Sequence, residues 1–255
     1  MSRHLIVDVE TVAIKDVETY LEPVSAPSNY KDEAKIAAYI AEETKRQAEK
    51  AALDIDLARI VCLGWQLGEE SGHWIIKDEI AEQTILAEFW RQFWPVYVPG
   101  YTIAVTFNGL NYDLPLLLRR SLYLGVPAPK LQLERFKHAD AIDLMAILSM
   151  DGRLKMHGLR FYCQRFGIPV DDESVGADIA GLVAAGDWAA VEKHCTADVE
   201  ATHALAVRMG VLKGDVPAVK ERPKVELLPK PAKPLQSVAD QLQASLDAAK
   251  EDPVF

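Results

Sequence analysis

Residues 3–11 read R-H-L-I-V-D-V-E-T, and the fold turns on how this stretch is read. Residues 3–9 are short, apolar and β-branched, the pattern of a buried strand. Asp8 interrupts that run and Glu10 follows two residues later. Positions i and i+2 of a strand project to the same face. Two carboxylates would then stand together near the end of a buried strand. Burying two like charges is costly unless a cation lies between them, and a divalent metal ion is the usual answer. The alternative is that the strand ends before Glu10 and only Asp8 is half-buried.

Working outward, I-V-C-L-G-W-Q-L (60–67) and H-W-I-I-K (73–77) read as two strands around a glycine-containing turn. With the first strand they suggest an antiparallel meander. T-I-A-V-T-F (102–107) is a further strand, running into N-G-L-N-Y-D-L-P, which opens a helix to about Leu124. Other helices are expected over 83–94, over 157–166 and in two segments of 177–209 broken near Gly186-Asp187. Residues 141–148 (A-I-D-L-M-A-I-L) fit either a strand or a helix. Residues 31–53 are rich in Ala, Glu and Lys and read as a helical insertion on the surface. The order implies an α/β domain over residues 1–212 with a mixed sheet. From 213 the chain becomes proline-rich with alternating charge, which reads as an extended linker. An amphipathic stretch follows at 235–249. It is either a weakly structured tail or a short helix for a partner protein or a second copy of the chain.

The bulk properties narrow the function. The formal net charge of -10 argues against tight nonspecific binding to nucleic acid, which needs basic surface. It does not exclude an enzyme that holds a strand end through metal ions. No apolar run approaches the ~20 residues that span a bilayer. An acidic pair stands where a secretion signal would have its apolar core. Cys62, Cys163 and Cys195 are far apart with no C-x-x-C, which fits a reducing compartment and argues against structural zinc.

Further acids stand in apolar surroundings. Asp113 follows the strand 102–107; alone it would read as a helix-start acid complementing the dipole. Asp198 lies on a C-terminal helix four residues after His194, on the same face; alone it would read as part of a solvated surface. Asp143 is either a fifth site carboxylate or a satisfied buried acid. Taken together, Asp8, Glu10, Asp113 and Asp198 form a pattern. Acids from separate elements can hold two divalent ions about 4 Å apart, an arrangement suited to phosphodiester hydrolysis. His194 could accept the proton of the attacking water.

The stretches I-V-D-V-E-T, F-N-G-L-N-Y-D-L-P and H-C-T-A-D-V-E-A-T resemble, in order and spacing, the three motifs of the DEDD superfamily of 3′–5′ exonucleases. The flavour is similar to predicted exonucleases related to the proofreading domain of family B DNA polymerases, phage-type members included. The resemblance covers roughly residues 3–210. It implies a ribonuclease H-like fold, with a mixed five-stranded sheet flanked by helices. It implies a hydrolase that removes nucleotides from a 3′ end; the expected substrate is single-stranded DNA, cleaved by a two-metal-ion mechanism, with an RNA-directed exonuclease as the alternative. The expected location is the cytoplasm of a bacterial or phage-infected cell. Asp8, Glu10, Asp113 and Asp198 would be ligands of two Mg²⁺ or Mn²⁺ ions. Thr11 and Val12 match positions bordering the terminal nucleotide; Asn108, Asn111 and Tyr112 match positions near the scissile strand.

One departure stands out. One branch of the superfamily has Tyr four residues before the last Asp; the other has His five before it. Here His194 occupies the tyrosine spacing and Lys193 the histidine spacing. Three readings follow: His194 acts as the base, only orients water, or points away with activity reduced. The contrasting function is a non-catalytic nucleic-acid-binding scaffold on the same fold. Arg119, Arg120, Lys130, Arg135, Lys137, Arg153, Lys155, Arg160 and Arg165 cluster against the acidic average and could line a path for a single strand. Tyr162 could stack a base, whereas Phe161 is expected in the core.

Overall fold

The computed structural model describes residues 2–134, 138–172 and 176–214. Arg135, Lys137 and, from residue 215, the proline-rich segment and amphipathic tail lie outside the described residues. The first strand, β1 (Arg3–Ala13), runs four residues past its predicted end, so Glu10 belongs to the strand. β1 pairs antiparallel with β2 (Ala58–Leu67), which pairs antiparallel with β3 (Glu70–Ile75). On its other side β1 pairs parallel with β4 (Thr102–Thr106), which pairs parallel with β5 (Ala141–Asp143). The five strands lie in the order β3-β2-β1-β4-β5, a mixed sheet.

The parallel ladder spans only Arg3 to Ile6 against Thr102 to Val105. Beyond Ile6, β1 keeps β2 on one side and leaves its other edge to loops. Such a crevice, past the carboxyl ends of parallel strands, is where α/β sheets place their ligands.

Helices cover both faces. α1 (Glu33–Lys50) starts at the Asp32 cap and buries none of its residues, as a thin apolar stripe demands. α2 (Glu79–Phe93) and α3 (Asp113–Tyr123) pack Leu86, Phe89, Phe93, Leu114 and Leu117 onto Leu5, Val7 and Val9 of β1. α4 (Leu144–Leu148) follows β5 directly, so the ambiguous segment 141–148 is a strand and then a helix. α5 (Leu159–Phe166) ends at Gly167, whose φ of 70° suits glycine. α6 (Ile179–Ala185) and α7 (Trp188–Arg208) complete the second face. There Ile6 packs with Val199 and Leu205, and Val12 with Val191 and Cys195. Strand alternation therefore puts Asp8 and Glu10, between Ile6 and Val12, on the α7 side. No helix among the described residues is long and apolar enough to cross a membrane.

Two sequence expectations are corrected here. Arg120 is not available to a strand: it is only 4% exposed and grips Glu82, itself 0% exposed, through Nε–Oε1 at 2.8 Å and Nη2–Oε2 at 2.7 Å. Phe161 is not core but 41% exposed. Leu159, Tyr162, Cys163 and Phe166 form the inward stripe of α5, at helical spacing, and Phe161 falls outside it.

Candidate active site

β1 delivers Asp8 and Glu10; the loop after β4 and the first turn of α3 deliver Asn108, Tyr112 and Asp113; α7 delivers His194 and Asp198. All seven line one cavity of about 520 Å³, together with Val9, Leu53, Phe107 and Gly176. Each contribution has a local cause. Asp113 Oδ1 accepts the Val9 backbone N–H at 3.1 Å, filling the edge of β1 that β4 leaves. The loop before it is held by Asp143, whose carboxylate accepts N–H groups from Asn108, Leu110, Met145 and Ala146. Asp143 is thus a satisfied buried acid rather than a fifth site carboxylate. Asn108 adopts a left-handed φ of 67°, which Asn tolerates better than most residues. Gly64 pairs with Asp8 across β1 and β2. A Cβ there would lie 2.8 Å from Cys195 Sγ and 2.9 Å from Val199. The bare glycine lets α7 sit close enough to present His194 and Asp198.

The remaining predicted residues fall nearby. Thr11 Oγ1 donates to the Ala52 carbonyl at 2.7 Å and lies 2.8 Å from the Tyr112 hydroxyl, which itself reaches Ala52 O at 2.6 Å. This closes the turn after α1 (Ala51–Leu53) against the site. The Val12 side chain is packed in the core beneath α7. Asn111 is exposed and donates to Asn108 Oδ1 at 2.9 Å.

Electrostatically the cluster is frustrated. Burial and then the charges of Glu10, Asp113 and Asp198 hold the Asp8 carboxyl well above its usual range. Burial, then Asp198, does the same to Glu10. Burial pushes Asp113 up to about 7, against the pull of two backbone N–H groups. Burial raises Asp198 too, opposed by His194 and Arg160. His194 is 2% exposed. Its Nε2 lies 3.6 Å from Glu10 Oε1, and its Nδ1 lies 2.5 Å from Asp172 Oδ2. Asp172 escaped the sequence reading. Arg160, expected along a strand path, instead binds Asp172 Oδ2 at 2.8 Å. On the outer side of α5, His157 stacks on Phe161 at 3.9 Å and 14°; on its inner side, Tyr162 lies 6.0 Å from Phe107.

The residues fit divalent cations. Ligand atoms of Glu10, His194 and Asp198 lie within 4.8 Å of one another. Asp198 Oδ1 is buried and has no hydrogen-bond partner among the described residues, an arrangement that is costly without a cation. The dominant donors are carboxylate oxygens, the ligands of Mg²⁺ and Mn²⁺. Cys195 also lies near Asp8 and Glu10. Contact with Cys62 and burial push its thiol well up, and it packs in the core with Val12, Val61 and Val191.

One solved structure supports the fold, and others bear a weaker likeness. The family B DNA polymerase of Pyrobaculum calidifontis superposes with a TM-score of 0.50 at 15% identity, covering 82% of this chain and 24% of the polymerase. Exonuclease I of E. coli, in complex with a dA16 oligonucleotide, gives a TM-score of 0.40 at 12% identity, covering 83% of this chain and 46% of that enzyme. The chain therefore spans about a quarter of the one and under half of the other. No curated protein sequence matches it. The sheet order and the polymerase likeness make the fold ribonuclease H-like. A family model matches residues 57–236, which include Asp113, His194 and Asp198 and leave β1 outside. The chain belongs to that family, the predicted 3′–5′ exonucleases related to the exonuclease domain of PolB.

Proposed function

We infer that the protein is a metal-dependent 3′–5′ exonuclease that removes nucleotides from the 3′ end of single-stranded DNA by a two-metal-ion mechanism. The observation that carries this reading is the buried acid cluster. Four carboxylates from three separate elements converge on one cavity with a histidine at its wall, and nothing cationic in the described chain neutralises all four. Asp8, Glu10, Asp113 and Asp198 would hold two Mg²⁺ or Mn²⁺ ions. When bound, such ions make water more acidic and stabilise charge on the leaving 3′ oxygen. His194 takes the proton of the attacking water on Nε2. The water oxygen bonds to phosphorus, the P–O3′ bond breaks with its electron pair leaving on O3′, and O3′ takes a proton from solvent. The products are a nucleoside 5′-monophosphate and a strand ending in a new 3′-hydroxyl.

The terminal nucleotide would rest against Leu53, Phe107, Asn108 and Tyr112, which line the same cavity. The exposed Phe161 with its stacked His157 offers an aromatic face of the kind on which unpaired bases stack. The test is direct. Single-stranded DNA labelled internally should release mononucleotides from its 3′ end with Mg²⁺ or Mn²⁺, and EDTA should stop this. Equal activity in Asp8→Ala would overturn the assignment. The same assay on RNA of matched sequence decides between the two nucleic acids.

A further inference from the structure

A histidine at the tyrosine spacing meets a problem that a tyrosine does not. A phenol has one oxygen, whereas a neutral imidazole has two tautomers, and only the one bearing its lone pair on the reacting nitrogen can take a proton. We propose that Asp172, held by Arg160, is the positioning residue that fixes His194 as the Nδ1–H tautomer and turns Nε2 toward the carboxylates. This rests on the reading of His194 as proton acceptor.

The geometry supplies each part. His194 Nδ1 lies 2.5 Å from Asp172 Oδ2, and Nε2 lies on the Glu10 side at 3.6 Å. A carboxylate facing Nδ1 accepts a proton there, leaving the lone pair of the neutral ring on Nε2. Asp172 is itself fixed. Arg160 Nη2 donates to the same Oδ2 at 2.8 Å, and Arg160 Nη1 donates to the Asp172 backbone carbonyl. Ile168 and Val170, on the segment leading to Asp172, pack into the cluster that α7 builds with Leu205 and Val199. The Asp172 side chain is 7% exposed and that of His194 3%, so water does not compete freely for the contact. Carboxylate, imidazole and reacting nitrogen form the orienting arrangement of hydrolytic triads, here aimed at a water rather than a serine.

Long-range ¹⁵N–¹H correlation of the His194 ring tests this in Mg²⁺ buffer at about pH 8, above the ordinary imidazole range. The His194 signals are assigned by their loss in His194→Phe. Wild type should show a proton on Nδ1 and a bare Nε2. Asp172→Asn, whose amide can donate to Nδ1, should move the proton to Nε2. It should lower kcat on a single-stranded oligonucleotide by about 10- to 100-fold with little change in KM, and Asp172→Glu should recover part of the loss. A wild-type ring protonated on Nε2, or on both nitrogens, overturns the proposal. So does an Asp172→Asn variant with unchanged tautomer and kcat. If wild type shows no turnover, the exonuclease reading fails, while the wild-type spectrum still decides the tautomer.

Discussion

The two faces of the sheet bury acids in opposite ways. On the α2–α3 face, Glu82 is sealed from solvent, grips Arg120 with both oxygens and accepts the Ile60 backbone N–H at 3.0 Å. Its charge is met from within the chain. At the site cavity, Asp8, Glu10, Asp113 and Asp198 stand close together in buried surroundings, and burial pushes each toward its protonated form. The first arrangement is complete as folded, whereas the second, under the proposed function, would be completed by a cation from outside. That difference separates the two sets of acids more sharply than burial does.

The largest expected effect breaks the working side alone. Asp8→Ala or Asp198→Ala should reduce release of nucleotides from a labelled 3′ end by on the order of 10³-fold or more, equivalent to about 4 kcal/mol of barrier. The fold should persist by circular dichroism. The structural side should respond inversely. Arg120→Ala leaves Glu82 as an unpaired buried charge and should cost about 3–5 kcal/mol in denaturant unfolding, with residual activity only in proportion to folded protein. A loss below about 1 kcal/mol would mean that the pair is solvated.

Much of this contrast was legible in the sequence, for physical reasons. D-x-E in an apolar strand and an acid four residues after a histidine on a helix are local patterns, and their residues do gather around one cavity. The segment 141–148 resisted because β5 ends at Asp143 and α4 begins at the next residue, Leu144, with Asp143 as the hinge. Arg120 was misread because its partner lies 38 residues away. A signal existed: Glu82 shares the buried stripe of α2 with Leu86, Phe89 and Phe93, where a lone acid needs a counter-charge. Asp172 carried no such signal. It sits in a loop 22 residues before His194, and no periodicity links the two.

Smaller effects sharpen the comparison. Gly64→Val places methyl groups where a Cβ alone would already meet Cys195 and Val199. It should cost about 1–3 kcal/mol of stability through overpacking and lower kcat beyond that loss, because α7 carries His194 and Asp198. Unchanged kcat per folded molecule would detach the helix position from the site. The smallest effect is on pH dependence. Burial holds Asp113 at about 7, well above the usual carboxylate range, and Asp8 and Glu10 shift in the same direction. A group raised on folding stabilises the folded state below its unfolded pKa and loses that contribution as pH rises through its folded value. In EDTA, Tm should therefore fall as pH rises from about 4 past 7. Asp113→Asn should flatten that slope, and Mg²⁺ should reduce it. A Tm that instead rises across this window would show that the acids are stably ionised without metal.

The central claim is that the α7-face acids take their missing counter-charge from divalent ions. Anomalous diffraction from a crystal grown with Mn²⁺ and a short oligonucleotide ending in a 3′-hydroxyl addresses it most directly. The account predicts two manganese peaks bounded by Asp8, Glu10, Asp113 and Asp198, with the terminal phosphodiester beside them and His194 Nε2 facing it. Manganese absent from this cavity, with the four carboxylates unchanged and the strand end bound elsewhere, would contradict it.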